Sequence, residues 1–451
     1  MNKKTFLLLA LSSIGISAAS QTNEKPNFII IFCDDLGYGD LGCFGHPTIR
    51  TPYLDKMSSE GQKWTSFYVS SAVSSPSRAG LLTGRLGVRT GMYGNTKEVL
   101  FPDSPEGLPE KETTIAAHLK QGGYTTACVG KWHVGHQPES MPLKNGFDYF
   151  YGLPYSNDMS RKEQVLRGNA NYKYELPFYD QDKVLENDPD QTQFTKRLTE
   201  YAVEFINKQK DKPFFLYLAH PMPHIPLYSS EDFQNKSLRG KYGDAVEEID
   251  WSVGQIIETL KRNNLADNTL VIFTSDNGPW LSYKTEGGSA GLLNDGKAST
   301  YEGGFRVPCV MWGGMLRQAV IPDQGSTLDL LPTLCDMAGI PLDKNKIYDG
   351  YSLKNTLLKA EESSRTIMPY FRGSGLYAYR SGKYKIHFIT RPAYSSEGKT
   401  VLDKPLLFNI EEDPGEQYNI SSQYPDITAR LTEEAQIYLQ SIPIKESIFD
   451  K

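Results

Sequence analysis

The chain is poor in cysteine, and the few cysteines that it has form no recognisable pattern. Five of its 451 residues are cysteine, widely spaced at Cys33, Cys43, Cys128, Cys309 and Cys335. This spacing excludes the paired motifs of zinc and redox sites, and an odd number leaves at least one thiol free. We therefore expect most of them to be small apolar side chains inside the fold.

Excess positive charge is also missing. The chain has 48 lysines and arginines against 54 aspartates and glutamates, which gives a formal net charge of −6. A mildly acidic chain is a poor candidate for a general nucleic-acid-binding protein, because that function needs a basic surface. With 39% hydrophobic residues, the chain is instead long enough for a large core and a second, smaller unit.

Long apolar runs are absent as well, except near the start. Lys3 and Lys4 precede an apolar stretch, and Ala18 and Ser20 occupy the −3 and −1 positions of a cleavage site. This pattern predicts a secretory signal peptide over residues 1–20. Beyond it, no run approaches the roughly 20 apolar residues of a membrane span. We expect a periplasmic or secreted protein with no membrane contact after signal cleavage.

Alternating strand and helix patterns predict the fold class. Continuous apolar runs, typical of strands buried on both faces, occupy residues 27–33, 125–129, 214–219, 269–274 and 307–312. Apolar residues spaced three and four apart predict helices over residues 113–121, 194–206 and 246–260. This alternation predicts an α/β sandwich in which the five strands belong to a parallel sheet.

The pattern changes beyond about residue 345. Short strands are predicted at residues 375–379, 384–389 and 406–409, and a helix is predicted near residues 427–439. We therefore expect a main catalytic domain over residues 21–345. A smaller C-terminal subdomain, an antiparallel sheet with one helix, is expected over residues 346–451.

Polar side chains follow four of the predicted strands. They are Asp34 and Asp35, Lys131 and His133, His220 and His224, and Asp276 and Asn277. Ligands of open α/β sheets bind at these carboxyl ends. Taken singly, each pair has an ordinary explanation as a turn, a cap or a surface group. Their recurrence favours a functional site, and the oxygen donors among them favour Ca²⁺ or Mg²⁺ over zinc.

The segment from Ser74 to Arg85 is the most informative. Pro76 suits the first turn of a helix, which places Ser74 at the helix N-terminus. Backbone N–H groups and the helix dipole attract an anion there, and Arg78 and Arg85 add positive charge. The residues alone leave open an ordinary helix that is capped by serine.

This segment resembles the signature of the formylglycine-dependent sulfatases, Cys/Ser-x-Pro-Ser-Arg-x-x-x-Leu-Thr-Gly-Arg, at every specified position. Further blocks of that family recur in order: Asp34-Asp35, Gly130-Lys131-Trp132-His133, Pro223-His224, Ser275-Asp276-Asn277-Gly278, Gly296-Lys297 and Tyr301-Glu302-Gly303-Gly304. The resemblance spans roughly residues 26–315 and is similar to the branch with arylsulfatase A and N-acetylgalactosamine-6-sulfatase. It implies sulfuric ester hydrolase activity. It also implies an alkaline-phosphatase-like sandwich with a large mixed, mostly parallel sheet.

The resemblance also implies roles for individual residues. Ser74 matches the position that is oxidised to formylglycine (3-oxoalanine), and serine there implies an anaerobic sulfatase-maturating enzyme as a partner. The ligands of one Ca²⁺ are matched by Asp34, Asp35, Asp276 and Asn277, together with residue 74. Arg78 and Lys131 match groups that hold the hydrated aldehyde, and His133 matches the contact to its second hydroxyl. His224 and Lys297 match the contacts to the sulfate.

In the chemistry that this resemblance implies, a hydroxyl of the hydrated aldehyde attacks sulfur and displaces the sugar alcohol. His224 or Lys297 stabilises or protonates the leaving oxygen, and His133 then takes a proton so that sulfate leaves. The expected substrate is a sulfated carbohydrate cleaved in the exo mode, with galactose or N-acetylgalactosamine favoured and N-acetylglucosamine as an alternative. His136 and Arg372 are further candidates for sugar binding. Pocket walls are expected from the loops near residues 95–108, 136–140, 155–167 and 372–377.

Two other functions stay open. A phosphomonoesterase of the same superfamily would use Ser74 directly, although such enzymes usually need a second set of metal ligands. A catalytically silent sulfoglycan-binding protein would result if Ser74 were never oxidised. The short motifs Gly37-x-Gly39-x-x-Gly42 and Gly287-x-Ser289-x-Gly291 match nucleotide-binding and hydrolase fingerprints but lack the helix or strand those sites require.

Overall fold

The computed structural model describes residues 25–394 and 398–451, and the predicted signal peptide at residues 1–20 lies outside them. The described residues form two sheets of ten and four strands. The large sheet contains β1 (Asn27–Cys33), β2 (Gln62–Tyr68), β3 (Thr125–Lys131), β4 (Tyr149–Leu153), β5 (Pro177–Asp180), β6 (Lys183–Asn187), β7 (Phe214–Ala219), β8 (Thr269–Ser275), β9 (Arg306–Trp312) and β10 (Ala319–Ser326). The small sheet contains β11 (Ile367–Arg372), β12 (Gly375–Ser381), β13 (Tyr384–Thr390) and β14 (Thr400–Asn409).

Eleven α-helices pack on these sheets in the described part of the chain. They are α1 (Pro52–Glu60), α2 (Ser74–Thr83), α3 (Gly87–Thr90), α4 (Ile115–Gln121), α5 (Arg161–Leu166), α6 (Phe194–Gln209), α7 (Gly240–Arg262), α8 (Glu302–Phe305), α9 (Leu330–Ala338), α10 (Lys354–Lys359) and α11 (Pro425–Gln440). None of the helices in the described residues is long and apolar enough to cross a membrane. The division expected between residues 345 and 346 falls between α9 and α10 and stays a prediction.

Five parallel strands form the centre of the large sheet. The strand order is β10-β2-β9-β8-β1-β7-β3-β4-β5-β6. β1 pairs in parallel with β7 and β8, and β3 pairs in parallel with β7 and β4. The sheet is mixed, because β9, β5 and β6 run antiparallel to their neighbours. The predicted fold class, a large mostly parallel sheet with a small antiparallel one, is confirmed.

The strand at residues 307–312 differs from the prediction, because β9 runs antiparallel to β8. The connection between them, residues 276–305, holds loops and short helices but no crossover helix of the kind that a parallel pair needs. The connection therefore stays at the edge of the sheet where β1, β3, β7 and β8 end.

Helices cover both faces of the large sheet. Alternate residues of β1 point to opposite faces: Phe28 and Ile30 pack with α2, α4 and α9, whereas Ile29 and Ile31 pack with α1, α6 and α7. This explains the continuous apolar sequence of β1, since both sets of side chains are buried. Four of the five cysteines are buried in the fold, as expected, and Cys43 is half-buried; all five are free thiols.

The small sheet carries α11 on one face and meets the large sheet across a buried charged cluster. The carboxylate of Glu302 accepts hydrogen bonds from the hydroxyls of Tyr68 (2.7 Å) and Tyr370 (2.8 Å). Lys385 Nζ lies 3.1 Å from Glu302 and 2.9 Å from Glu416. Burial alone would raise the pKa of Glu302, but Lys385 and neighbouring arginines outweigh it and lower the pKa to about 2.

Candidate active site

The predicted site residues come together at the carboxyl edge of the central strands. Asp34 and Asp35 directly follow β1, and Asp276 and Asn277 directly follow β8, whose last residues are in register with those of β1. All four side chains are buried. Two neighbouring parallel strands thus bring three carboxyl groups and one amide to the same place.

Ser74 reaches this cluster from the first turn of α2. Its hydroxyl donates a hydrogen bond to Asp276 Oδ2 at 2.6 Å and accepts one from Arg78 Nε at 3.0 Å. The residue before it, Val73, has an extended backbone, and no side chain caps the helix. The serine is therefore not a helix cap, which was the alternative interpretation of this segment.

Two buried cations hold the carboxylates. Arg78 Nη2 lies 2.9 Å from Asp276 Oδ2, and its Nη1 donates a hydrogen bond to the backbone oxygen of Lys131 at 3.0 Å. Lys131 Nζ in turn donates to Asp34 and to Ser156 Oγ. Burial disfavours ionised Asp34, but Lys131 and Arg78 outweigh it and lower the pKa of that carboxyl.

Asp35 is the centre of a second set of contacts. It accepts hydrogen bonds from Lys297 Nζ (2.8 Å) and Asn277 Nδ2 (2.7 Å), and His224 Nε2 lies 3.6 Å away. Burial raises the pKa of Asp35 to about 7, with Asp34 and Asp276 adding to the effect against Lys297. The three buried carboxylates of this cluster, Asp34, Asp35 and Asp276, are matched by three cations, Arg78, Lys131 and Lys297.

The two histidines have fixed tautomers. The backbone oxygen of Leu100 lies 2.9 Å from His133 Nε2, which must therefore donate. The Nδ1 of this ring is buried and has no partner in the part of the chain that the structure describes. The oxygen of Ile225 lies 2.5 Å from His224 Nδ1, so its Nε2 carries the lone pair. Burial lowers the pKa of both rings well below 6.5, helped by Lys131 and Lys297 respectively. Both rings are neutral at pH 7.

Backbone strain marks the same place. Asp35 has a φ of +63° and His133 a φ of +59°, in the left-handed region that non-glycine residues seldom occupy. Such strain persists only where surrounding structure enforces it, and it concentrates at functional sites.

A cavity of about 540 Å³ lies over this cluster. Its floor includes Ser74, Lys131, His133, His224 and Lys297. Its walls come from residues 95–99 and 101, residues 156, 158 and 159, and Arg372, within three of the four loop regions predicted above. The fourth region, residues 136–140, contributes none of the lining.

Some candidate residues lie outside the cavity. His136 packs edge-on against Tyr155, with ring centroids 5.7 Å apart, and does not line the cavity. His220, which follows β7, is buried below the site with its Nε2 3.1 Å from Ser252 Oγ. Arg372 lines the wall, where Glu98 Oε1 lies 2.6 Å from its Nη2, and its contact with the sugar stays a prediction.

Sequence reasoning missed Trp280, Arg391 and Tyr394 as lining residues. Trp280 lies under Lys297, whose Nζ is 4.1 Å from the ring centroid, and it stacks on Tyr394 at 5.1 Å. Arg391 also lines the cavity. Trp280 lies three residues after Asn277, and this closeness to a predicted site residue could have identified it as a candidate. Arg391 and Tyr394 lie just after β13, and only the docking of the small sheet brings them to the site.

The last residues of the chain support one wall. Asp450 accepts backbone N–H bonds from Asn95 (2.8 Å), Thr96 (3.0 Å) and Lys97 (3.3 Å). It also accepts from the side chains of Asn95 and Thr96. Phe449 beside it is buried. The tail thus fixes the loop that leads to Glu98.

Buried carboxylates, a serine at a helix N-terminus and converging lysine and arginine side chains define a hydrolase of anionic esters. The chain matches the sulfatase family over residues 26–340 and the C-terminal region of aryl-sulfatase over residues 363–451. It is 39% identical to human arylsulfatase A over 92% of this chain and 86% of that protein. It is 37% identical to mouse N-acetylgalactosamine-6-sulfatase over 97% of this chain and 90% of that protein.

Solved structures agree with these sequence matches. Ps i-CgsB in complex with a neocarrahexaose superposes with a TM-score of 0.78 at 32% identity, covering 93% of this chain and 94% of that one. The sulfatase PsFucS1 from Pseudoalteromonas sp. superposes with a TM-score of 0.82 at 29% identity, covering 94% and 92%. The chain belongs to the sulfatase family and is a sulfuric ester hydrolase, as its motifs predicted.

Proposed function

We propose that the protein removes a sulfate ester from a sugar of a sulfated glycan, using Ser74 after its oxidation to formylglycine. The observation that carries this proposal is the hydrogen bond of the Ser74 hydroxyl to Asp276 on the floor of a cavity lined by Lys131, Lys297 and two histidines. One relative is an N-acetylgalactosamine-6-sulfatase, and one structural neighbour was solved in complex with a neocarrahexaose. Galactose or N-acetylgalactosamine is the favoured sugar, cleaved in the exo mode.

We infer that Asp34, Asp35, Asp276 and Asn277 hold one Ca²⁺ together with residue 74. The fit rests on two buried oxygen atoms, Asp34 Oδ1 and Asn277 Oδ1, that have no hydrogen-bond partner among residues 25–394 and 398–451. Each of these residues can offer an oxygen atom to a metal ion, and oxygen is the ligand type that Ca²⁺ prefers. When bound, Ca²⁺ supplies positive charge that acidifies a coordinated hydroxyl and polarises the sulfate.

We expect residue 74 to act as an oxidised side chain. Asp276 accepts a hydrogen bond from the serine hydroxyl, but only a hydrated formylglycine supplies both an acidic hydroxyl for attack and a second one for release. Arg78 Nε is within hydrogen-bond distance of the residue 74 side chain and would orient it. The free Nδ1 of His133 is the proton acceptor on the cavity floor.

We propose that Lys297 binds the sulfate and that His224 protonates the oxygen of the leaving sugar. Asp35 outweighs burial and raises the pKa of Lys297, so Lys297 stays charged and attracts the sulfate. The neutral His224 presents a lone pair at Nε2, so it must first take up a proton from solvent to act as an acid. His224 then donates that proton to the oxygen of the departing sugar.

The remaining expectations are part of the same proposal. An anaerobic maturating enzyme would oxidise Ser74. The signal-peptide pattern supports a periplasmic or secreted location. Residues 21–345 would form the catalytic domain and residues 346–451 the C-terminal subdomain.

Mass spectrometry of the peptide carrying Ser74, from protein made in its native host, tests the proposal directly. We expect a peptide lighter by two hydrogens, as conversion of the alcohol to an aldehyde requires. A wholly unmodified peptide would favour a silent sulfoglycan-binding protein. Paired assays on a sulfate and a phosphate monoester of one sugar test whether the protein is a phosphomonoesterase instead. Faster release of phosphate than of sulfate would indicate a phosphomonoesterase.

A further inference from the structure

The cavity extends beyond the cluster that would hold the sulfate. Its outer part is lined by Trp280, Arg372, Arg391 and Tyr394, with Asp158 on another part of the lining. None of these side chains has a role in the cleavage steps described above. They come from the connection after β8, from the end of β11 and from the segment after β13. The leaving sugar is the part of the substrate that must occupy this space.

Several polar atoms in this outer part are buried without a partner among the described residues. Three are donors, namely Trp280 Nε1, Arg372 Nη1 and Arg391 Nε, and one is an acceptor, Asp158 Oδ1. A buried polar group without a hydrogen bond is costly, and native structures contain few of them. A ligand in the cavity with both donor and acceptor groups would supply partners for all four atoms.

The charges point to the chemistry of that ligand. Lys131 is paired with Asp34, Lys297 with Asp35, and Arg372 with Glu98. Arg391, by contrast, has no ion-pair partner within residues 25–394 and 398–451. Its guanidinium is a planar fork that matches a carboxylate or sulfate.

We propose that Trp280, Arg372, Arg391 and Tyr394 form a subsite for a second acidic group of the substrate. The preferred substrate then carries a carboxylate or another sulfate, on the same sugar or its neighbour, besides the ester that is cleaved. Arg391 binds this acidic group, Trp280 Nε1 and Arg372 Nη1 donate hydrogen bonds to sugar oxygens, and Asp158 Oδ1 accepts one from a sugar hydroxyl. This inference rests on the proposed function, because it names the substrate class of the same site.

Steady-state kinetics on three probes test the proposal. The probes are monosulfated N-acetylgalactosamine, its disulfated form, and the monosulfated sugar linked to a uronic acid, each as its positional isomers. We expect at least one acidic probe to have a kcat/KM about tenfold higher than the simple monosulfated sugar, as a charge-assisted hydrogen bond provides. The acidic probe with the higher kcat/KM identifies whether the second acidic group is a sulfate or a carboxylate.

The ratio of kcat/KM for the acidic probe to kcat/KM for the simple monosulfated sugar measures the preference. Arg391→Gln is expected to lower this ratio about tenfold, whereas Arg167→Gln should leave it unchanged. Arg167 is an exposed arginine at the end of α5 that does not line the cavity. Arg391→Lys keeps the charge but loses the fork, so an intermediate ratio is expected. Equal ratios in the wild type and both Arg391 variants would overturn the proposal.

Binding of the desulfated products gives a readout that does not depend on cleavage. By calorimetry, the wild type should bind the product that retains its acidic group about tenfold more tightly than the neutral sugar. Selective binding with no sulfate release would support the subsite and refute the proposed function. Sulfate release with equal binding of acidic and neutral products would refute the subsite and leave the proposed function standing.

Discussion

Replacing Glu302 by glutamine tests whether the buried charged cluster stabilises the contact between the two sheets. The carboxylate is fully buried among Tyr68, Tyr370 and Lys385. Its pKa falls from 4.5 in the unfolded chain to about 2 in the fold. At about 1.4 kcal/mol for each pKa unit, ionised Glu302 contributes about 3 kcal/mol to the free energy of unfolding at pH 7.

The pH dependence gives this prediction its sign. Because the pKa of Glu302 is depressed in the fold, the stabilisation is complete above pH 4.5 and is lost as the pH falls toward 2. The difference in unfolding free energy between wild type and Glu302→Gln should therefore fall from about 3 kcal/mol at pH 7 to roughly half of that at pH 3.

Urea unfolding of both proteins between pH 7 and pH 3 provides the measurement. Glu434→Gln is the control, because Glu434 is a partly exposed carboxylate on α11 whose partner is Arg430 one turn away. Its loss should cost no more than about 0.5 kcal/mol. A Glu302→Gln effect below about 1 kcal/mol at pH 7, or one that does not change with pH, would refute the reasoning.

Four further predictions concern activity. Ser74→Ala should abolish sulfate release with an unchanged circular dichroism spectrum, and residual turnover near the wild-type rate would contradict the role of this residue. His224→Ala should lower kcat by roughly 100-fold or more, as loss of a general acid does, which steady-state kinetics would detect. Removal of metal by a chelator should abolish sulfate release and added Ca²⁺ should restore it, so full activity of the metal-free protein would exclude the cation site. Asp450→Ala removes the hydrogen bonds that hold the loop from Asn95 to Lys97. We expect KM to rise several-fold with kcat nearly unchanged. A fall in kcat alone would contradict the role of this loop as part of the cavity wall that binds substrate.

The central strands were predictable because burial on both faces leaves a continuous apolar run. Asn27–Cys33 and Phe214–Ala219 were predicted with both ends correct, and the polar residues after them lie where a parallel sheet requires. The edge strands were not predictable in this way. Lys183–Asn187 is largely exposed, so its sequence carries no apolar run.

The floor of the site was predictable and its outer wall was not. Asp34, Ser74 and Asp276 lie in local motifs whose position at a strand or helix end follows from the motif itself. Arg391 and Tyr394 reach the cavity only because the small sheet docks beside the connection from β8 to β9. No local pattern encodes that docking, and the same holds for the antiparallel direction of β9.

On the proposed function, the groups that cleave the ester and the subsite that selects the sugar lie in different parts of the chain. Cleavage groups lie on strand and helix ends of the large sheet, while Arg391 and Tyr394 lie on a hairpin connection of the small one. Grafting that connection from a relative with another glycan preference would exchange selectivity as a unit and leave the reaction centre intact. Changes confined to this short connection could therefore alter substrate preference while the rest of the fold stays the same.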